Sequence, residues 1–180
     1  MTRTILTYGL IAGLVAITGI LGTIWMSDDS HGNVWLGYLI MLVALSSILV
    51  AVKQYRDNVL GGVIKFRTAF LLGLGIAVVA ALAYVAVWEV YLALTGYRFM
   101  PEMVAQTLAA KRAEGVTGEA YAKLASDMGA MAKAYENPLY RLPMTAVEIL
   151  PVGLLVALVS AGLLRMPGFL PARPCGIIVK

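Results

Sequence analysis

Four long apolar stretches constrain this chain more than any other feature of its sequence. They cover residues 5–26, 34–52, 68–95 and 144–164. A helix needs about 20 apolar residues to cross the hydrocarbon core of a bilayer. With 61% hydrophobic and only 13% charged residues, the chain has too few polar groups for a water-soluble domain. The sequence therefore predicts an all-α membrane protein, a four-transmembrane-helix bundle built as one domain over residues 1–180.

The distribution of Lys and Arg predicts the orientation of this bundle. Loop 53–67 carries four basic residues and one acidic residue, whereas loop 27–33 has two aspartates and no Lys or Arg. Loops rich in Lys and Arg stay in the cytoplasm. We therefore expect a multi-pass protein of the bacterial inner membrane with both termini cytoplasmic and a retained first helix. The net charge of +4 follows from these helix ends, so we expect the lipid bilayer, and no nucleic acid, as a partner.

Residues 97–142, before the last span, form a charged, alanine-rich insertion. Pro101 favours the start of one helix, and Thr117 can cap a second that ends before Asn137. In the second helix an apolar stripe recurs every three or four residues. Its members are Tyr121, Leu124, Met128, Met131 and Tyr135. We expect a helical extracytoplasmic cap that packs over the bundle.

Glu89 and Glu148 are the only charged residues within the four stretches. A carboxylate inside a membrane is costly, so intramembrane acidic residues face the bundle interior and have a partner there. Counting along the last two spans places both near the outer boundary. Pro151 also interrupts the helix bonds close to Glu148, which is a feature of many membrane ion sites.

Two explanations for these carboxylates remain open. They can form a structural network of ion pairs and hydrogen bonds, or they can share a proton or cation. Arginines just outside the membrane supply the ion pairs, and aromatic side chains supply the hydrogen bonds. With Glu89 and Glu148, the candidate functional polar site consists of Tyr84, Trp88, Tyr91, Arg98 and Arg141.

Basic side chains around Gly61–Gly62 are predicted to lie at the inner headgroup level. There they can contact anionic lipid, at about 1 kcal/mol each, or they can serve only to set the topology. The inner-face lipid contacts predicted in this way are Lys53, Arg56, Lys65 and Arg67.

Metal, cofactor and enzyme motifs are missing from the sequence. His31 and the neighbouring Asp28 and Asp29 have suitable chemistry for a divalent metal, but no recognised ligand spacing accompanies them. Cys175 is the one cysteine, which excludes an intramolecular disulfide and a cysteine-rich metal site. No nucleophile elbow, phosphate loop or zinc-protease motif occurs. We expect no metal, no cofactor and no enzymatic activity.

Three passages carry a resemblance to a known family. The first is Lys-Gln-Tyr-Arg-Asp-Asn at 53–58 followed by Gly-Gly-Val-Ile-Lys-Phe at 61–66. The others are Tyr-Val-Ala-Val-Trp-Glu-Val-Tyr at 84–91 and Arg-Leu-Pro-Met at 141–144. Together they resemble the bacterial membrane family catalogued as domain of unknown function 4199, over nearly the whole chain. The resemblance implies a small four-helix inner-membrane protein with an insertion before the last helix, and it implies no activity.

Small residues spaced by four suggest how the helices associate, because they let helix backbones approach closely in lipid. These residues are Gly9 and Gly13, then Gly73, Ala77 and Ala81, then Gly153, Ala157 and Ala161. They support either a compact bundle or a homodimer face. Together with the outer cap they favour an accessory, assembly or scaffold subunit that associates through its helices, as a homo-oligomer or with another membrane protein. The alternative is a small ion- or solute-binding or transport protein that uses Glu89 and Glu148. An intramembrane enzyme using the same two carboxylates is the third hypothesis.

Overall fold

The described part of the chain folds into seven α-helices. The computed structural model describes residues 1–26, 34–166 and 168–171, and within these ranges there is no strand. The predicted all-α fold class is confirmed. In chain order the helices are α1 (Thr2–Met26), α2 (Val34–Leu45), α3 (Ser47–Val59), α4 (Phe66–Leu94), α5 (Phe99–Ala113), α6 (Gly118–Tyr135) and α7 (Pro138–Arg165).

Among the described residues, four helical segments are long and apolar enough to cross a membrane, as predicted: Thr2–Trp25, Trp35–Val59, Phe66–Leu94 and Pro138–Arg165. Large apolar side chains cover the outside of the bundle. Trp25 and Trp35 are 92% and 85% exposed, at the ends of α1 and α2 that flank residues 27–33. Tryptophan is enriched at the boundary between hydrocarbon and water, so this surface is that of a protein embedded in lipid.

The last helix begins earlier than predicted. The sequence placed its start at residue 144, but α7 is continuous from Pro138 and contains Pro143 and Pro151. The Asn137 side chain caps this helix by accepting a hydrogen bond from the backbone N–H of Leu139 at 3.0 Å. Pro138 occupies the first turn, where a missing N–H has no cost. The apolar pattern marked where the helix enters lipid, and the helix itself starts before that point.

The second span is divided, whereas the sequence predicted one helix over 34–52. α2 and α3 meet at Ser46, whose Oγ donates to the carbonyl of Val43 at 2.6 Å. Serine side chains that bond back to the preceding turn bend membrane helices. α3 then continues to Val59 and carries Lys53 and Arg56 to the end of the bundle.

Helix α4 lies between α1 and α7 and runs antiparallel to α7. Gly73 contacts Ala157, and four residues further along α4, Ala77 contacts Gly153, four residues back along α7. A Cβ atom added to Gly153 would lie 2.7 Å from the Ala77 Cβ, which is closer than real side chains approach. The small residues therefore let the two backbones pack closely, as helices in lipid require.

Helix α1 packs against another face of α4, in the parallel direction. Gly9 contacts Val79, and Gly13 contacts Ala80 and Ala83. A Cβ atom on Gly13 would lie 2.5 Å from the Ala80 carbonyl oxygen. Of the two uses that the sequence left open for the small-residue stripes, a compact bundle and a homodimer face, the structure shows packing within the bundle.

The insertion folds into a helical hairpin of α5 and α6, here called the cap, and the end of the bundle that it adjoins is the cap end. Gly96 and Tyr97 have positive φ angles of 64° and 56°, and they turn the chain from α4 into the cap. Their N–H groups donate to the carbonyls of Ala93 and Leu92, at 3.3 and 2.8 Å. Both bonds belong to the Schellman motif that ends helices at glycine.

Helix α6 turns its predicted apolar stripe toward α5 and the bundle. Tyr135 is buried and the other four members are half-buried, whereas the charged residues of α6 are exposed. Two local predictions were wrong. α5 begins at Phe99, two residues before Pro101, and Thr117 occupies the N-cap position of α6 without a side-chain capping bond.

Candidate polar site and cavity

Glu89 on α4 forms a bidentate ion pair with Arg141 on α7. Arg141 Nε lies 2.7 Å from Glu89 Oε1, and Nη2 lies 2.7 Å from Oε2. Glu89 is twelve residues beyond Ala77 and Arg141 is twelve residues before Gly153, so the antiparallel register that seats the small residues also brings these two together. The side chains are 24% and 4% exposed. Paired charge-assisted bonds of this geometry are among the strongest in proteins.

The remaining donor group of Arg141 binds the cap. Nη1 lies 3.1 Å from the carbonyl oxygen of Tyr135 and 3.4 Å from that of Glu136. Carbonyls at a helix C-terminus have no partner within the helix and carry partial negative charge. The guanidinium also lies 4.9 Å from the Tyr97 ring centroid and 5.8 Å from that of Tyr135. Arg141 therefore joins α4, α6 and α7 at the base of the cap.

Glu148 lies two turns further along α7 and does not share the partner of Glu89. The Tyr84 hydroxyl donates to Glu148 Oε2 across 3.4 Å, which is a long and therefore weak hydrogen bond. Among the residues that the structure describes, Glu148 forms no ion pair. Its side chain is exposed, and it lines a cavity beneath the cap.

This cavity has a volume of about 320 Å³ and lies between the cap and the bundle. Six of the seven helices contribute to its wall. Within the described part of the chain, Glu148 is the only charged residue in the lining. The aromatic lining consists of Tyr38, Tyr84, Trp88, Phe99 and Tyr135. The methionines of the lining are Met41, Met100, Met103, Met131 and Met144.

A hydrogen bond between Trp88 and Tyr135 connects the bundle to the cap at the cavity wall. Trp88 Nε1 donates to the Tyr135 hydroxyl at 2.9 Å, and the Phe99 ring meets Trp88 edge-on at 4.9 Å. Burial raises the pKa of Tyr135 above its usual range, because desolvation disfavours the phenolate. The Tyr135 hydroxyl therefore stays protonated and uncharged at neutral pH.

At the opposite end of the bundle, Arg56 has a role similar to that of Arg141. Its side chain is 3% exposed and forms an ion pair with Asp57 at 2.7 Å. It also donates to the carbonyls of Leu164, at 3.5 Å, of Phe169, at 3.3 Å, and of Leu170. The predicted lipid contact is therefore wrong for Arg56. Residues at the end of α7 and just beyond it cover its guanidinium and accept its hydrogen bonds.

The other predicted inner-face residues are more accessible. Lys53 is 28% exposed and pairs with Asp57 at 2.5 Å, and Lys65 and Arg67 are exposed. Arg165 at the end of α7 joins Lys65 and Arg67 around a shallow hollow at the start of α4.

Comparison with known proteins identifies the family of this chain. A family model described as "Protein of unknown function (DUF4199)" matches residues 7–166. The chain belongs to this family. No curated protein and no solved structure matches it. The resemblance inferred from the sequence is confirmed, and DUF4199 membership assigns no activity to the polar site.

Two members of the predicted site, Tyr91 and Arg98, lie beside the ion pair and the cavity in this DUF4199 protein without contributing a bond to either carboxylate. Tyr91 stacks on Trp88 at 5.3 Å between ring centroids. Arg98 is exposed, and its Nε donates to the Thr95 carbonyl at 3.1 Å, so it does not pair with either carboxylate. Among the described residues no group of His, Cys, Asp or Glu could hold a metal ion. His31, Asp28, Asp29 and Cys175 lie outside the described residues.

Sequence reasoning missed most of the cavity wall. Met100, Met103 and Phe99 were part of the cap, Met144 marked a span boundary, and Tyr38 belonged to an apolar span. The sequence had singled out part of the wall: Tyr84, Trp88 and Glu148 as candidate site residues, and Met131 and Tyr135 as members of the α6 stripe. Because the wall is assembled from six helices, no local pattern could have shown these residues together.

Proposed function

We propose that this protein is a small-solute-binding membrane protein whose binding site is the cavity beneath the cap, with Glu148 as the recognition group. The observation that supports this proposal is the contrast between the two carboxylates. Glu89 has a bidentate partner, whereas Glu148 has one weak hydrogen bond and lines a cavity. An acidic residue kept within a membrane span without an ion-pair partner favours a functional role over a structural one.

The dimensions of the cavity agree with this role. Small-molecule sites are mostly apolar clefts of about 300–1,000 Å³ with few polar groups that fix the orientation of the ligand. A volume of about 320 Å³ lies at the lower end of this range. The methionine and aromatic lining supplies the apolar surface, and Glu148 with the Tyr84 hydroxyl supplies the polar groups.

The distribution of charge supports a location in a bacterial inner membrane with both termini in the cytoplasm. Lys53, Lys65, Arg67 and Arg165 gather at the end opposite the cap, and basic residues favour the cytoplasmic side. In this orientation the cavity lies near the outer face of the membrane and receives its solute from there.

The hypothesis of an accessory or assembly subunit has less support than solute binding. It rested on small-residue stripes, and these pack inside the chain. We also propose that the protein is non-enzymatic, since the cavity offers one carboxylate and hydroxyl groups without a nucleophile–base pair.

Filling the cavity tests the proposal. Gly37 lines the cavity, and a Cβ atom added there meets nothing within 4 Å, so Gly37→Leu adds side-chain volume at the cavity wall without a clash at its Cβ. Gly162 is equally open and lies outside the cavity lining, so Gly162→Leu is the matched control. Replacing Trp25 and Trp35 with phenylalanine leaves Trp88, in the cavity wall, as the single tryptophan.

Titration of this protein with small cationic, neutral and anionic solutes should give a saturable change in Trp88 fluorescence for at least one class. Gly37→Leu should abolish the change, and Gly162→Leu should preserve it. Absence of saturable binding by every class, or binding that Gly37→Leu leaves unaltered, would contradict the proposal.

A further inference from the structure

We propose that the ligand of this cavity is an organic ammonium ion attached to an apolar body. This inference rests on the proposed binding function and specifies its ligand class.

The charge of the site is uncompensated within the described part of the chain. Arg141, the nearest arginine along α7, uses its donors on Glu89 and on the last carbonyls of α6. Arg98 is exposed and bonded to a backbone carbonyl. A ligand that enters beside Glu148 therefore meets a carboxylate without a protein counter-ion. A cationic ligand gains an ion pair there, and an anionic ligand is repelled.

The aromatic lining favours the same sign of charge. Five of the lining side chains are aromatic, and aromatic rings attract organic cations most strongly where water is excluded. Tyr84 and Trp88 are 2% and 6% exposed, so these rings are shielded from bulk water. Quaternary ammonium ligands are recognised by cages of aromatic rings.

The volume and the methionines indicate an organic ligand rather than a bare ion. At about 320 Å³, the cavity is roughly ten times the volume that one water molecule occupies in the liquid. Thioethers are also ligands of soft metals, but a metal ion would leave most of this space unfilled. Methionine side chains adapt to irregular apolar shapes, which suits a hydrocarbon body of variable form.

Three probes of equal shape test the ligand class: benzyltrimethylammonium, its neutral carbon analogue neopentylbenzene, and the anion phenylmethanesulfonate. They are titrated into the full chain in maltoside micelles, which contain no ammonium group, with Trp88 fluorescence and thermal stability as readouts. We expect the cation to bind at least about tenfold more tightly than the neutral analogue, since about 1.4 kcal/mol of ion-pair and cation–π energy gives that ratio. The anion should not bind.

Glu148→Gln should remove the preference for the cation, and Glu148→Asp should retain part of it. Glu119→Gln, on the exposed start of α6, is the control and should leave it unchanged. If the glutamine variant fails to fold, the ranking of the three probes on the unsubstituted protein still decides the question.

Each outcome has a distinct meaning. If the neutral or the anionic probe binds as tightly as the cation, and Gly37→Leu abolishes this binding, the ligand is not specifically an ammonium ion. The proposal that the cavity binds a solute would then still stand. Absence of binding by all three overturns both. Tight binding of silver ion, displacing the cation, would assign the methionines to a metal and overturn the ammonium class.

The same ammonium chemistry occurs in free amines and in lipid headgroups, and a competition arm distinguishes these sources. Phosphatidylethanolamine added to the micelles should displace the cationic probe if the natural ligand is a lipid headgroup. Phosphatidylglycerol, which lacks the ammonium, serves as the control lipid. Failure of phosphatidylethanolamine to compete, with the cation preference intact, assigns the site to free lipophilic amines.

Discussion

Replacing Arg141 with methionine should destabilise the protein by about 3 kcal/mol. The variant keeps an unbranched apolar stem but removes the guanidinium, with its two 2.7 Å bonds to Glu89 and its two bonds to the carbonyls of Tyr135 and Glu136. Removing one partner of a buried ion pair costs about 3–5 kcal/mol, because the other charge is left uncompensated. The Glu89 side chain is 24% exposed, so partial hydration places the expected loss at the lower end of this range.

The loss can be measured by equilibrium unfolding in mixed micelles of maltoside and dodecyl sulfate, with Trp88 as the only tryptophan. Trp88 is hydrogen-bonded to Tyr135, so its fluorescence reports the junction of cap and bundle. Arg98→Met is the matched control: Arg98 lies next to the same junction, is exposed and makes one bond to a backbone carbonyl. Its substitution should change the free energy of unfolding by no more than about 0.5 kcal/mol.

A double-mutant cycle measures the interaction energy between Glu89 and Arg141 directly. A buried ion pair replaced as a whole by apolar residues is often near neutral in stability. Glu89→Leu combined with Arg141→Met should therefore be more stable than the sum of the two single losses predicts, by at least about 1.5 kcal/mol. A loss below about 1 kcal/mol for Arg141→Met, or additive single losses, would refute the assignment of Glu89 and Arg141 as a buried, stabilising ion pair.

Three further outcomes are expected. Arg56→Met should destabilise by about 1–3 kcal/mol in the same unfolding assay, because it leaves the carbonyls of Leu164, Phe169 and Leu170 without their donor, while Asp57 keeps its pair with Lys53. Arg67→Met, at an exposed position, should have little effect, and equal effects would contradict a buried role for Arg56. Gly13→Val should lower the free energy of unfolding by about 1–3 kcal/mol or prevent folding, since its Cβ would lie 2.5 Å from the Ala80 carbonyl oxygen. Gly22→Val, with open space around it, should fold normally. A cysteine introduced at the exposed position Gly129 should react with a membrane-impermeant thiol reagent on intact cells, whereas native Cys175 should not. The reverse pattern would show that the proposed orientation is inverted.

The four spans could be predicted from sequence because a lipid environment permits few alternatives. An apolar run of about 20 residues has to satisfy its backbone hydrogen bonds internally, and a helix does so. The ends of the helices were less predictable. Hydropathy marks the residues that lie in hydrocarbon, whereas the start of α7 at Pro138 and the break at Ser46 depend on local hydrogen bonds of Asn137 and Ser46.

The same limit applies to the polar site. Glu89 and Glu148 could be identified from the sequence because they are charged residues within apolar stretches. The sequence could not decide whether Arg98 or Arg141 pairs with Glu89. Helix packing makes that choice. The register of α4 on α7 brings Arg141 opposite Glu89, while the turn at Gly96 and Tyr97 directs Arg98 elsewhere. Arg56 was misassigned for a related reason, since the carbonyls that cover it come from residues more than one hundred positions away.

The ion pair and the cavity perform different tasks, but the cap connects them. Arg141 does not line the cavity, yet the cap that it holds supplies Phe99, Met131 and Tyr135 to the wall. When a binding-competent state is only partly populated, the apparent dissociation constant rises by the inverse of that fraction. Arg141→Met should therefore weaken binding of the cationic probe, and Arg98→Met should not. A saturating ligand should in turn stabilise the docked cap by the linkage between binding and folding. Unchanged probe affinity in an Arg141→Met protein that has lost stability would mean that Trp88, Tyr135 and Phe99 are sufficient to keep the cavity closed.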